Sequence, residues 1–197
     1  FNVTSTVPVY EGFPLQYASM KINLGGEDLS LKLLESIKNK LDNSYKSIKG
    51  RLLADDIKEQ KGYIRMNNEE EEQEDITYTL PDEKELKLGN EIYKSNDIIF
   101  NPGDLSELVS VSKMVVDSLG LCDDDVKSDI NESVCLIGGN TLLKNFPEKL
   151  RTELSENKDM GSFNLSFVPE RQFSSWIGGS IMSSLDNFQY MWVTKEE

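Results

Sequence analysis

The chain of 197 residues contains no histidine. Ser-His-Asp and Cys-His nucleophile pairs are therefore excluded within it, and so is any metal site that needs an imidazole. Cysteine is scarce too: Cys122 and Cys135 are the only two, and their spacing follows no metal or redox pattern. A reducing compartment is expected, with Cys135 buried as a small hydrophobe inside an apolar strand. Positive charge is short, with 21 Lys plus Arg against 35 Asp plus Glu and a net charge of −14. Such a surface repels phosphate backbones, so direct nucleic-acid binding is not expected and basic partners are favoured. No run of eighteen apolar residues exists to span a membrane, and no secretory leader is visible at the start. Any catalysis would have to rest on carboxylates, lysines or backbone dipoles.

What is present supports a folded domain. Hydrophobic residues make up 38% of the chain, enough with this length for one large domain or two small ones. The most informative stretch is Ser133-Val134-Cys135-Leu136-Ile137-Gly138-Gly139-Asn140-Thr141-Leu142-Leu143. A short β-branched apolar run reads as a strand, two glycines as a turn, and Asn140-Thr141 as a helix start. That order aims backbone N–H groups and a positive helix end at one point, where a phosphate or a base plane can approach without meeting a Cβ. A tight strand-to-helix turn with no ligand fits the same residues.

Elsewhere the patterns are local. Met20 to Leu24 alternates as a strand and stops at Gly25-Gly26. Leu29, Leu33, Leu34, Ile37 and Leu41 then recur at helical spacing behind the carboxylates Glu27 and Asp28. Leu52 to Gln60 reads as a second helix. Asn67 to Asp75 is a block of negative charge, either a solvated insert or a docking surface for a basic tail. Thr77 to Leu80 and Leu86 to Leu88 suggest a hairpin, although its turn lacks glycine. A helix is expected from Asp104 to a C-cap at Gly120, and Asp123-Asp124-Asp125 suits a helix cap or an exposed turn better than a calcium loop. Asn145-Phe146-Pro147 reads as a helix start and Phe163 to Val168 as a strand, while Trp176, Ile177, Ile181 and Leu185 line one helical face whose apolar surface is interrupted by Gly178-Gly179.

Several of these stretches together resemble the actin family, in its C-terminal half. Thr6-Val7-Pro8-Val9-Tyr10-Glu11-Gly12 is similar to the segment after the family's second phosphate loop. Leu80-Pro81-Asp82 with Leu88-Gly89-Asn90-Glu91 is similar to the hairpin of the smaller outer subdomain. The longest match is Pro169-Glu170-Arg171-Gln172-Phe173-Ser174-Ser175-Trp176-Ile177-Gly178-Gly179-Ser180-Ile181. The resemblance implies an α/β, actin-like (ribonuclease H-like) fold, of which this chain is one lobe, a β-sheet flanked by helices with a smaller α/β insertion. Residues 1–25 and 108–174 would form the larger inner subdomain and residues 26–107 the inserted outer one, carrying the acidic loop 67–75. Residues 175–197 would form C-terminal helices that pack on the absent N-terminal half.

The resemblance also implies an adenine-nucleotide site. Carried over residue by residue, it comprises Gly26, the pair Lys58 and Glu59, the turn Gly138 and Gly139, then Thr141, Leu142, Leu143 and Gln172. Two departures remove positive charge: the family's Arg after the ribose glycine is Glu27, and a Lys near the base is Gln172. ATP or ADP with Mg²⁺ is expected only in the full-length protein, because this chain begins after the second phosphate loop and lacks half of the clamp. Hydrolysis by the chain alone is not expected.

Within the family, Gly138 to Leu143, Arg171 to Trp176 and Val111-Ser112-Lys113-Met114 look more like the nuclear actin-related proteins. The implied role is a non-catalytic scaffold of a chromatin-remodelling or histone acetyltransferase complex. Its implied partners are a remodeller motor-subunit helix, actin or another actin-related protein, and basic histone tails, with no nucleic acid bound directly. An acidic stretch, Gly103 to Glu107, stands where actin carries its apolar inter-strand plug. Asp56-Ile57-Lys58-Glu59 is nearly actin's own motif and keeps a cytoplasmic, filament-forming ATPase as the alternative.

Overall fold

The computed structural model describes residues 2–45, 48–66, 75–103 and 108–196. Two expectations therefore lie outside the described residues: the acidic insert apart from Asp75, and the plug-like stretch 104–107. The chain is a mixed α/β lobe. Its described strands pair as four separate two-stranded ladders. β1 (Thr4–Thr6) runs antiparallel to β4 (Met20–Ile22), and β2 (Val9–Tyr10) to β3 (Phe13–Pro14). β5 (Ile76–Thr79) pairs antiparallel with β6 (Glu85–Leu88), and β7 (Ser133–Cys135) pairs parallel with β8 (Asn164–Ser166).

Among the described residues, seven α-helices accompany the ladders. α1 (Gly26–Ile37) starts where Gly25 N–H donates to Asp28 Oδ2 at 2.7 Å, closing the first turn, and it buries Leu29, Leu33 and Ile37 at four-residue intervals. Each buried leucine or isoleucine contributes roughly 1.5–3 kcal/mol. α2 (Ile48–Lys61) lays Leu53, Ala54 and Ile57 against α1. α3 (Glu91–Asn96) packs on α1 as well.

α4 (Val111–Gly120) is capped by Ser110 Oγ, which accepts the Lys113 N–H at 3.2 Å, so the helix begins later than its apolar spacing suggests. Gly120 is its last residue, and Leu121 follows in right-handed conformation, so the glycine is not a left-handed cap. α5 (Asp124–Asn131) starts behind Asp123 at the cap position, as the three aspartates suggested. α6 (Phe146–Glu156) begins after Asn145 in left-handed conformation, φ 67°, with Pro147 in its first turn. α7 (Ser174–Ser183) carries Gly178-Gly179 in its interior and ends before Leu185, so the expected apolar face is one residue shorter.

Two apolar cores result. One gathers Leu24, Leu29, Ile64, Phe100, Leu136, Leu143, Phe146, Leu150 and Leu165. The other gathers Leu33, Ile37, Leu53, Ile57, Tyr78, Leu88 and Ile92. α1 feeds both, Leu29 at its start and Ile37 at its end. In the β5–β6 hairpin Glu83 adopts φ 67°, taking the left-handed place a glycine would usually fill.

Two strand expectations change. Cys135 is exposed and Cys122 is the buried thiol. Along residues 133–137 burial alternates, with Leu136 inside and Ser133, Cys135 and Ile137 outside, so this strand covers a core with one face only. Burial raises the Cys122 thiol pKa. Beyond the turn no α-helix opens at Asn140-Thr141. A 3-10 turn spans Gly139–Leu142, and the α-helix waits for Phe146.

Candidate functional site

The residues that stand together at the N-terminus of α1 come from three distant parts of the sequence. Lys58, on the later turns of α2, is buried and points inward. Its Nζ donates to Gly26 O at 2.8 Å and to Ser30 Oγ at 2.7 Å, with Asp55 Oδ1 at 3.4 Å. Ser30 Oγ in turn lies 3.0 Å from Gly26 O and 2.5 Å from Asp55 Oδ1. One buried ammonium thus ties α2 to the first turn of α1 through neutral acceptors and a half-exposed carboxylate.

The glycine turn meets the same point. Gly138 has φ +91°, a conformation L side chains rarely adopt, and hands β7 over to the 3-10 turn. From that turn Asn140 reaches across to Gly26. A Cβ on Gly26 would sit 2.9 Å from Asn140 Oδ1 and 3.4 Å from Lys58 Nζ, so glycine here lets the Asn140 amide close over the start of α1. Leu143 is buried at the turn's far end, where a Cβ on Gly62 would come 2.7 Å from Leu143 Cδ2. Ile64 N–H donates to Lys144 O at 2.8 Å and Asn145 Nδ2 to Ile64 O at 3.1 Å, stitching the turn to the segment after α2.

Beneath the turn lies a residue that sequence reasoning did not single out. Arg171 is 7% exposed. Its Nε donates to Thr141 Oγ1 at 2.8 Å, Nη2 to Thr141 O at 2.8 Å and Nη1 to Val168 O at 3.2 Å. The signal in the sequence is only an arginine ahead of an aromatic run, and its partners cannot be read there.

Of the nine residues expected at a site, Gly26, Lys58, Gly138, Gly139, Thr141 and Leu143 are drawn into this one neighbourhood. Leu142 and Gly139 are exposed on the turn, and Gln172 is exposed beside Arg171. Glu59 is exposed with no hydrogen bond or ion pair among the described residues, one position round the helix from the inward Lys58. Glu27, which follows Gly26, is ion-paired with Arg51 of α2. Behind the site, burial raises the Tyr63 phenol, with Tyr93 adding to the shift and Arg65 opposing it.

The described residues match known sequences over their whole extent. The sequence profile of actin covers residues 1–197. The chain belongs to the actin family. This actin-family chain is 33% identical to actin-like protein 7A of Mus musculus, over 100% of the chain and 46% of that protein. It is 32% identical to actin-like protein 7A of Rattus norvegicus over the same shares. It therefore spans about half the length of these curated relatives.

The arrangement brings a glycine without a Cβ, a buried ammonium and the Asn140 amide to one point at the start of α1. Among the described residues no group of three or more carboxylate or thiol side chains is placed to hold a metal ion. Two hollows lie elsewhere among the described residues, one lined by Ser112, Asp117, Glu153 and Asn157, the other by Phe100, Pro102 and Leu108.

Proposed function

We propose that this lobe supplies one wall of an adenine-nucleotide cleft in an actin-related protein, holding ATP or ADP as a structural ligand rather than hydrolysing it. The observation that carries the reading is the meeting of Gly26, Lys58 and the Gly138–Leu143 turn around Asn140. The turn's backbone would hold the base and ribose, Gly26 would let them approach, and Lys58 would brace Gly26 through its carbonyl. Phosphoryl transfer requires the γ-phosphate to be clamped and the attacking water positioned, whereas the residues gathered here are read as facing the base and ribose. Mg²⁺ would arrive with the nucleotide in the intact protein.

At the level of the cell, the reading is a scaffold subunit of a nuclear chromatin-remodelling or histone-modifying complex. Its partners would be a motor-subunit helix, actin or another actin-related protein, and basic histone tails. A net charge of −14 supports basic partners over nucleic acid. A cytoskeletal, filament-forming ATPase is the second reading, favoured by Asp56-Ile57-Lys58-Glu59. The intact protein decides between them. Co-purification with remodeller subunits and submicromolar ATP binding without phosphate release support the scaffold. Polymer that pellets on adding Mg²⁺ and salt, together with phosphate release, supports the filament.

A further inference from the structure

Arg171 combines three properties. It is buried, it forms no ion pair among the described residues, and it grips both ends of the glycine turn. Its own carbonyl accepts the Gly138 N–H at 2.9 Å where the turn begins. Its guanidinium holds the Thr141 hydroxyl and carbonyl where the turn ends, both at 2.8 Å. Thr141 Oγ1 closes the circuit by donating to Gly138 O at 2.8 Å. The guanidinium also stacks 4.7 Å from the centre of the Phe167 ring.

We infer that Arg171 is a positioning residue for the nucleotide base, fixing the glycine turn so that Asn140 is held against Gly26 and beside Lys58. This rests on the nucleotide reading given above. A turn of two glycines has little stiffness of its own, because glycine samples both signs of φ. A planar fork that satisfies the hydroxyl and carbonyl of one residue together holds that residue in a single orientation. A lysine, with its donors on one nitrogen, cannot span the two acceptors and a third carbonyl in the same plane. Burial without a counter-charge is costly, and here each of the three guanidinium nitrogens donates to a neutral oxygen of Thr141 or Val168.

A residue that only stabilised the fold would weaken binding of every nucleotide alike. One that shapes the wall against the base changes the preference among bases. The experiment is calorimetric titration of the intact protein with Mg²⁺-ATP and with Mg²⁺-GTP, for wild type, Arg171→Lys and Phe167→Leu, alongside thermal unfolding without ligand. The expected result is that wild type favours ATP. Arg171→Lys loses about tenfold in ATP affinity, roughly the worth of one hydrogen bond from a charged donor, and most of its preference over GTP. Phe167→Leu, which alters a half-exposed ring and leaves the hydrogen bonds, moves both quantities the same way by less. The inference is overturned if Arg171→Lys binds ATP as wild type does, or if it loses ATP and GTP in equal proportion. It also falls if Arg171→Lys cannot be folded and Phe167→Leu keeps the wild-type preference. Absence of ATP binding by wild type overturns the nucleotide reading itself, and this inference with it.

Discussion

Lys58 Nζ lies 2.8 Å from Gly26 O, joining the later turns of one helix to the first residue of another, 32 positions earlier in the chain. The ammonium is spent largely on the protein's own acceptors. Its three donors face Gly26 O, Ser30 Oγ and, at longer range, Asp55. Lysine at this position is therefore structural before any ligand arrives.

Replacing Lys58 with methionine keeps the aliphatic stem and removes the donors. Gly26 O and Ser30 Oγ then lose their charged partner in a buried site, and stability is expected to fall by about 1–3 kcal/mol. Urea unfolding followed by circular dichroism measures it. A midpoint unchanged from wild type would show that the network contributes nothing.

Two glycines separate ligand access from folding. A Cβ on Gly26 meets the movable end of Asn140, so Gly26→Ala is expected to change stability by no more than about 1 kcal/mol, helped by alanine's helix preference. Nucleotide binding should nonetheless be lost. A Cβ on Gly62 meets the backbone carbonyl of Lys58 at 2.2 Å, which cannot move aside. Gly62→Ala should destabilise the chain by about 3 kcal/mol or more. Comparing unfolding midpoints of the two variants tests the contrast directly; similar losses would refute it.

Tyr78 donates its hydroxyl to Asp56, and burial, then this hydrogen bond, push its phenol up from 10.0 to about 12. The folded state thus holds the proton more tightly than the unfolded state. Its stabilising effect is complete below the unfolded value of 10.0 and is lost as pH rises through about 12. Wild type should lose stability relative to Tyr78→Phe across that window, as read from thermal midpoints between the two values. Parallel curves for the two proteins would exclude the linkage.

Both tryptophans stand in the open on the C-terminal segment. Trp176 is 81% exposed and Trp192 64% exposed, with Tyr190 and Val193 beside the latter in sequence. In the isolated chain acrylamide should quench their fluorescence as readily as it quenches free indole, and a dye that binds apolar surface should light up. Trp176→Ser and Trp192→Ser together should reduce the dye signal. Strong protection of both indoles in the isolated chain would contradict the exposed arrangement.

Much of this architecture is legible along the chain because the relevant signals are short in range. The four-residue spacing of Leu29, Leu33 and Ile37 marks a buried helical stripe, and Asn145 with Pro147 marks a helix start. Cys135 faces the other way from that expected, because an apolar run of four residues reads alike whether a core covers one face or both. Only the alternation around Leu136 separates the two cases. The turn after Gly138 was read as an α-helix because Asn and Thr cap helices and also open 3-10 turns. Arg171 stayed hidden among polar neighbours, since its main partner is Thr141, 30 residues away.

By itself the sequence determined the family, the helical stripes, the absence of imidazole chemistry and the glycines that permit a sharp turn, since each depends on residue type and local spacing. Tertiary structure alone decided that Lys58 turns inward while the adjacent Glu59 faces solvent, that Asn140 settles over Gly26, and that Arg171 lies beneath the turn. The reason is physical: an ammonium or guanidinium gives up water only where several acceptors converge, and convergence is a property of packed elements rather than of neighbours in the chain.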